Sequence, residues 1–275
     1  MIIVLYIDDL FLIGNENMIV KCERELAREF EIKELGSIPY LLGLEVWHGP
    51  DEIFLGQGKY TIDILRRFGM MDCKSMATPM EETMNKLHDY AIYSDLVDPT
   101  MYQQLIGSLL YLINTMSDIC YVVNALSQHM VKVRQLHWTT PKHVLRYLRG
   151  TVGYGFIYTS SDGVKLVGFT VSYWVRNFVD KKSTSRCYFS LGLTMVSWLR
   201  KKQTFVALSI AEAEYIATCA ASKEAMWLWK LLADLYSHEF DVIMRFCDNQ
   251  RFVKLFENSM FHDRSNHTDL RYHYI

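Results

Sequence analysis

Two adjacent carboxylates, Asp8 and Asp9, stand between two short apolar runs, 2–7 and 10–13, that are rich in β-branched and aromatic residues. A pair of carboxylates at the tip of a rigid element can ligate a hard divalent cation such as Mg²⁺, which takes oxygen ligands and orients phosphates for in-line displacement. Asp is also a common turn residue, and an acid pair between strands needs no chemistry to explain it. The other residues with chemistry to offer are cationic. No acid occurs from 127 to 161, where Lys132, Arg134, Lys142, Arg146 and Arg149 lie among Trp138, Tyr147 and Tyr154. A second acid-free run, 181–211, carries Lys181, Lys182, Arg186, Arg200, Lys201 and Lys202. Either run could form a phosphate-contacting face, and solvated helix or loop surface is the alternative for any run of charge.

The elements that must position these residues follow from periodicity. Short apolar runs of β-formers on both sides of the acid pair predict a hairpin with the acids at its turn. Residues 17–30 place Ile19, Cys22, Leu26 and Phe30 at helical spacing. Strands are expected at 40–46 and 53–57, and a helix at 60–68 ends near Gly69. The stretch 81–99 is polar, poorly periodic and closes on Asp98-Pro99, which predicts a linker. Two apolar helices follow, at 102–114 and 119–130. From Gly153 the rhythm changes to strands, at 155–158, 164–171, 187–191 and 194–198. Residues 208–235 then read as one long helix or two, and a further strand at 243–247 precedes Asp248.

Composition sets the outer bounds. With 275 residues, 50% hydrophobic and 22% charged, the chain has material for two globular domains. Its net charge of −2 gives no global sign of a nucleic-acid partner, so any such signal lies in the local basic runs. The six cysteines show neither C-x-x-C nor Cys/His ligand spacing, which argues against a zinc site or a disulfide scaffold and for a reducing, intracellular compartment, cytoplasmic or nuclear. The apolar start lacks a basic n-region, and no run reaches the roughly 18 apolar residues of a membrane span, so no membrane partner is expected.

Tyr6-Ile7-Asp8-Asp9, flanked by apolar strands, resembles the polymerase signature of reverse transcriptases. The chain from Leu5 to its last residue is similar to the copia-type retrotransposon Pol polyprotein, departing at Met116-Ser117, where an Arg-Pro pair is usual before Asp118. The resemblance implies a mixed α+β and α/β fold. Residues 1–80 would be the C-terminal part of a reverse-transcriptase palm and the start of the thumb, with the hairpin over 40–57 gripping the primer terminus. Residues 81–152 would be a linker and helical thumb or connection, in which 142–151 joins polymerase to nuclease. Residues 153–275 would form a ribonuclease H-like mixed-sheet domain.

The resemblance also places a second carboxylate site, built to hold two metal ions across a scissile phosphate. Ser209-Ile210-Ala211-Glu212-Ala213-Glu214-Tyr215 matches the family's helix-start motif, with Glu214 the implied ligand and Glu212 serving the helix N-terminus. Cys247-Asp248-Asn249-Gln250 implies Asp248 as a ligand, and His267-Thr268-Asp269 implies Asp269. At the first strand the family reads Gly-Tyr-Ser-Asp-x-Asp-Trp, whereas this chain has Gly168-Phe169-Thr170-Val171-Ser172-Tyr173-Trp174. Val171 and Tyr173 thus stand where acids are expected, and an apolar side chain cannot ligate Mg²⁺. Arg186 replaces a family glycine and Arg200 a small polar residue. The polymerase pair, for its part, needs an aspartate from an earlier palm strand, and the chain opens just before Tyr6.

The expectation is therefore a truncated, degenerate fragment without catalysis. It would retain affinity for an RNA:DNA hybrid or other nucleic acid through Lys142, Arg146, Arg149, Lys201 and Lys202, and take Mg²⁺ weakly if at all. The absent palm and fingers of the parent polyprotein are the partner this reading implies. The alternatives are an active Mg²⁺-dependent ribonuclease H on RNA:DNA hybrids and a remnant recruited as a non-catalytic interaction module.

Overall fold

The computed structural model describes residues 1–33, 35–36, 39–80, 95–159, 165–173, 182–236 and 244–247. It opens on an antiparallel ribbon of β1 (Ile2–Tyr6) and β2 (Asp9–Ile13), in register from Ile2 opposite Ile13 to Tyr6 opposite Asp9. Asn15 then accepts the Asn17 N–H at 3.0 Å and starts α1 (Glu16–Glu29), an ordinary N-cap in which a short polar side chain replaces a missing intrahelical partner. Cys22 is the buried residue of its apolar stripe, and Phe30, expected to extend that stripe, lies beyond the helix and exposed.

A second sheet runs β3 (Tyr40–Leu41), β4 (Leu44–His48), β5 (Glu52–Gly56) and β6 (Gly155–Thr159), all antiparallel. The tight β3–β4 turn needs Leu42 at φ 50° and Gly43 at φ 80°. Gly43 is required there twice over, since a Cβ would also strike the Tyr111 hydroxyl that donates to the Leu42 carbonyl at 2.6 Å. β6 stands at the head of the C-terminal region in sequence, yet it pairs back onto β5.

Between β5 and β6 the chain builds a helical core from α2 (Gly58–Arg67), α3 (Thr100–Leu112), α4 (Cys120–Leu126) and α5 (Thr139–Gly150). In α3 the buried positions Tyr102, Leu105, Ile106, Leu109 and Leu112 recur at three- and four-residue spacing and meet Ile64 and Leu65 of α2, Val122 and Val123 of α4, and Val144, Leu145 and Leu148 of α5. The helix expected over 119–130 is interrupted. Leu126 gives its carbonyl to the Tyr102 hydroxyl at 3.1 Å and Met130 gives its own to Gln103, so the chain continues past α4 as a tight 3-10 turn. Of the expected linker, residues 81–94 lie outside the described set; Val97 and Asp95 are tied by backbone bonds to Val133 and Gln135.

The last unit is a sheet in the order β10-β7-β8-β9, from β7 (Leu166–Tyr173), β8 (Thr184–Leu191), β9 (Thr194–Lys202) and β10 (Met244–Cys247). β7, β8 and β9 are antiparallel neighbours, while β10 lies parallel to β7 and so requires a crossover. The crossover contains one unbroken helix, α6 (Ile210–Tyr236), whose Ala221, Ala225, Leu228 and Leu232 pack on Leu166, Cys187 and Phe189. β8 and β9 run further than their apolar cores predict, because pairing continues out to Thr184 opposite Lys202. No helix among the described residues is long and apolar enough to cross a membrane.

Candidate functional site

The acid pair does not sit at the hairpin tip as a unit. The two-residue connection is Ile7-Asp8, and Asp9 is already the first residue of β2, facing Tyr6 across the ribbon. Ile7 adopts φ 52°, a left-handed conformation that a β-branched residue rarely takes and that marks local strain. Both carboxylates are exposed. Nothing in the two-stranded sheet supplies a further acid, and among the described residues no three His, Cys, Asp or Glu side chains gather closely enough to hold a metal ion.

The residues expected to form a second carboxylate site begin at the start of α6. Ser209 Oγ accepts the Glu212 N–H at 3.1 Å while Glu212 Oε2 accepts the Leu208 N–H at 2.7 Å, so Glu212 is engaged in capping the helix. Gln203 ties the same turn to the sheet, donating from Nε2 to the Ala213 carbonyl at 2.7 Å and to Ser185 Oγ at 2.9 Å. Glu214, two residues on, is buried. Burial holds the neighbouring Tyr215 hydroxyl up at about 12.

In β7, Val171 pairs with Arg186 and Tyr173 with Thr184. β10 runs alongside β7 and ends with Cys247 beside Thr170, and Asp248 is the next residue in sequence. Asp248 and Asp269 themselves lie outside the described residues. Mg²⁺ seeks near-octahedral oxygen coordination, and at neither place do the described residues provide a donor set that fits it.

Three residues of α5 reach across to backbone carbonyls of the preceding segment. Arg146 Nε donates to the Lys74 carbonyl at 2.9 Å and Arg149 Nε to the Met71 carbonyl at 2.7 Å, while His143 Nε2 lies 2.9 Å from the Thr78 carbonyl. One helical stripe at three-residue spacing thus pins the segment that follows α2. Lys142 is exposed beside it. Lys201 and Lys202 are consecutive on β9 and therefore project to opposite faces, Lys201 exposed and Lys202 half-buried.

Arg186 and Arg200, noted in the sequence only as departures, form a cluster. They are direct cross-strand partners, and their guanidinium carbons lie 4.2 and 4.5 Å from the ring centre of Tyr121 on α4. Arg200 Nη1 also donates to the Tyr121 carbonyl at 3.1 Å. Burial lowers the Arg200 pKa first, and the Arg186 charge lowers it further. The signal for this cluster was available, since both arginines fall in the acid-free run 181–211.

Comparison with known proteins adds the following. Residues 1–82 match the family described as reverse transcriptase (RNA-dependent DNA polymerase). The chain is 36% identical over 98% of its length to the retrovirus-related Pol polyprotein from transposon RE2 of Arabidopsis thaliana, covering 18% of that protein. It is 33% identical over its whole length to the retrovirus-related Pol polyprotein from transposon TNT 1-94 of Nicotiana tabacum, covering 21% of it. An uncharacterized mitochondrial protein of Arabidopsis thaliana is 33% identical over 82% of this chain and 94% of its own length. This chain thus spans about a fifth of the Pol polyproteins, 18% and 21%, and nearly all of the mitochondrial protein, 94%. No solved structure matches it.

Proposed function

The chain belongs to the copia-type retrotransposon Pol polyproteins, and from that premise we propose that it is a reverse transcriptase and ribonuclease H segment that binds nucleic acid without catalysing either reaction. The observation that carries the reading is Val171. β7 is the strand that β10 joins in parallel, and its position 171 holds a hydrocarbon where metal-dependent phosphoryl chemistry needs an oxygen donor. The antiparallel β7-β8-β9 run, the α6 crossover and the parallel β10 support a ribonuclease H-like reading of the last unit. The reverse-transcriptase match over 1–82 supports a palm and early thumb in the first. In this division 1–80 is palm and thumb, 81–152 linker and connection, and 153–275 the nuclease-like region, with β6 lent to the earlier sheet.

An RNA:DNA hybrid is the partner this reading favours. Lys142 and Lys201 offer exposed ammonium groups to phosphates. Arg146 and Arg149 each commit Nε to a backbone carbonyl and keep their terminal nitrogens for a phosphate, with Lys202 the remaining contributor. If Mg²⁺ binds, Asp8, Asp9 and Glu214 would hold it, with Asp248 and Asp269 as further candidates; the described donors do not complete either set, so no step is derived through it.

The test is hydrolysis of a labelled RNA:DNA hybrid by the purified chain in Mg²⁺, alongside filter binding across a salt series. Binding that weakens steeply with salt and no cleavage is the expected result. Cleavage that disappears in Glu214→Ala overturns the inactive reading, and absence of binding at low salt overturns the nucleic-acid reading. Val171→Asp with Tyr173→Asp is expected to gain cleavage if the scaffold is otherwise competent.

A further inference from the structure

We propose that the exposed side of α6 binds the same side of a second copy of this chain, antiparallel, about a two-fold axis level with Leu232. The inner side of α6 is taken up by the sheet, through Ala221, Ala225, Leu228 and Leu232. Outside that packed stripe, Trp227, Leu231 and Leu235 recur every fourth residue and are 56%, 39% and 37% exposed. Large apolar side chains on successive turns form a continuous row, and removing such a row from water is favourable.

The charges beside the row select the partner. Lys230 and Asp234 are exposed, lie one turn apart along one edge of the row, and neither side chain takes part in an ion pair among the described residues. A lysine four residues ahead of an acid is the less favourable order for pairing within one helix. Leu232 is midway between the two. A second α6 laid antiparallel about that level therefore brings its Asp234 opposite Lys230 and its Lys230 opposite Asp234, both pairs on one side of the row. The same rotation sets Leu231 beside Leu231 and Leu235 beside Trp227, so the face is its own complement in sign and in apolar contact. Rows of four-residue spacing interdigitate at a crossing of about −50°, which confines the contact to the turns next to the axis, where both ion pairs fall. So short a contact lies below the roughly 1,200 Å² of a stable interface, and the dimer is accordingly weak. It requires neither nucleic acid nor a metal ion and is independent of the reading above.

Sedimentation of the full chain is followed from micromolar to near-millimolar concentration. A monomer–dimer equilibrium that loosens with added salt is expected. Trp227→Ser and Leu231→Gln should each weaken it about tenfold or more. Lys230→Glu alone, or Asp234→Lys alone, sets like charges opposite each other at both pairs and should weaken it to a similar degree, while Lys21→Glu on α1 leaves it unchanged. Both charge reversals fall at exposed positions and leave the core untouched. The decisive sample is the equimolar mixture of the Lys230→Glu and Asp234→Lys chains: their faces are opposite in sign, so association should return, and it can return only if both variants are folded. A monomer at every concentration overturns the proposal, and a lowered Tm for Trp227→Ser on that monomer assigns the row to another segment of the same chain. A dimer indifferent to the charge reversals, or a mixture that fails to restore it, overturns the proposal as well.

Discussion

In α3, Leu105, Ile106, Leu109 and Leu112 are wholly enclosed, whereas β1 and β2, drawn from an equally apolar stretch, bury no side chain fully: Leu5 is 71% and Ile13 55% exposed. The helices bury their stripes because three other helices converge on them from both sides of a long connection. The ribbon is a sheet of two strands with no third strand beside it among the described residues, an arrangement that is marginal in water. The segment with the sharpest family signature is therefore the one its own fold holds least firmly. Recognisability and mechanical security are separate properties of this chain.

That contrast can be broken most directly by truncation. Leu109→Ala should cost about 2–5 kcal/mol in denaturant unfolding, because the cavity has no way to collapse, while Leu5→Ala should stay within about 0.5 kcal/mol. Equal losses at the two sites would mean that the ribbon shares the core's stability.

Alkaline pH sharpens the comparison from the enclosed side. Burial pushes the Cys187 thiol up to about 11 and Tyr215 to about 12, and raises the Tyr102, Tyr147 and Tyr158 hydroxyls too. Each is an acid kept neutral by the fold, so the unfolded chain ionises first as pH rises past the ordinary thiol and phenol values, 9.0 and 10.0. Their contribution is complete below pH 9 and is lost on climbing through the folded values, so denaturant midpoints should fall from about pH 8 to about pH 10.5. A flat profile would refute the burial of these groups.

Smaller effects test single contacts. Tyr102→Phe removes the donor to the Leu126 carbonyl and should cost about 1 kcal/mol, with the edge-on packing against Trp138 at 5.6 Å retained. Ile7→Gly removes the strain of a positive φ and should steady the ribbon by up to about 1 kcal/mol, seen as slower amide exchange in β1 and β2. Faster exchange would show that Ile7 contributes contacts outweighing its backbone cost.

The periodic elements were legible in the sequence because burial dictates their pattern: α1, α2, α3 and α6 fall close to the expected spans. What periodicity cannot carry is partnership across long separations. β6 reads as the first strand of the last unit and pairs with β5 instead, and nothing local distinguishes the two outcomes. The backbone bonds of Arg146 and Arg149 were equally out of reach, because charge on a helix face says nothing of the carbonyls of Lys74 and Met71 that wait opposite. The cap formed by Ser209 and Glu212 was readable, since its geometry depends on residues three apart.

The return of β6 to β5 also bears on biosynthesis. Until residue 159 has left the ribosome, β5 has no partner for the edge that β6 covers in the folded chain. Ending translation after α5 would therefore release a chain with an open template for self-association, so the sheet is secured late in synthesis.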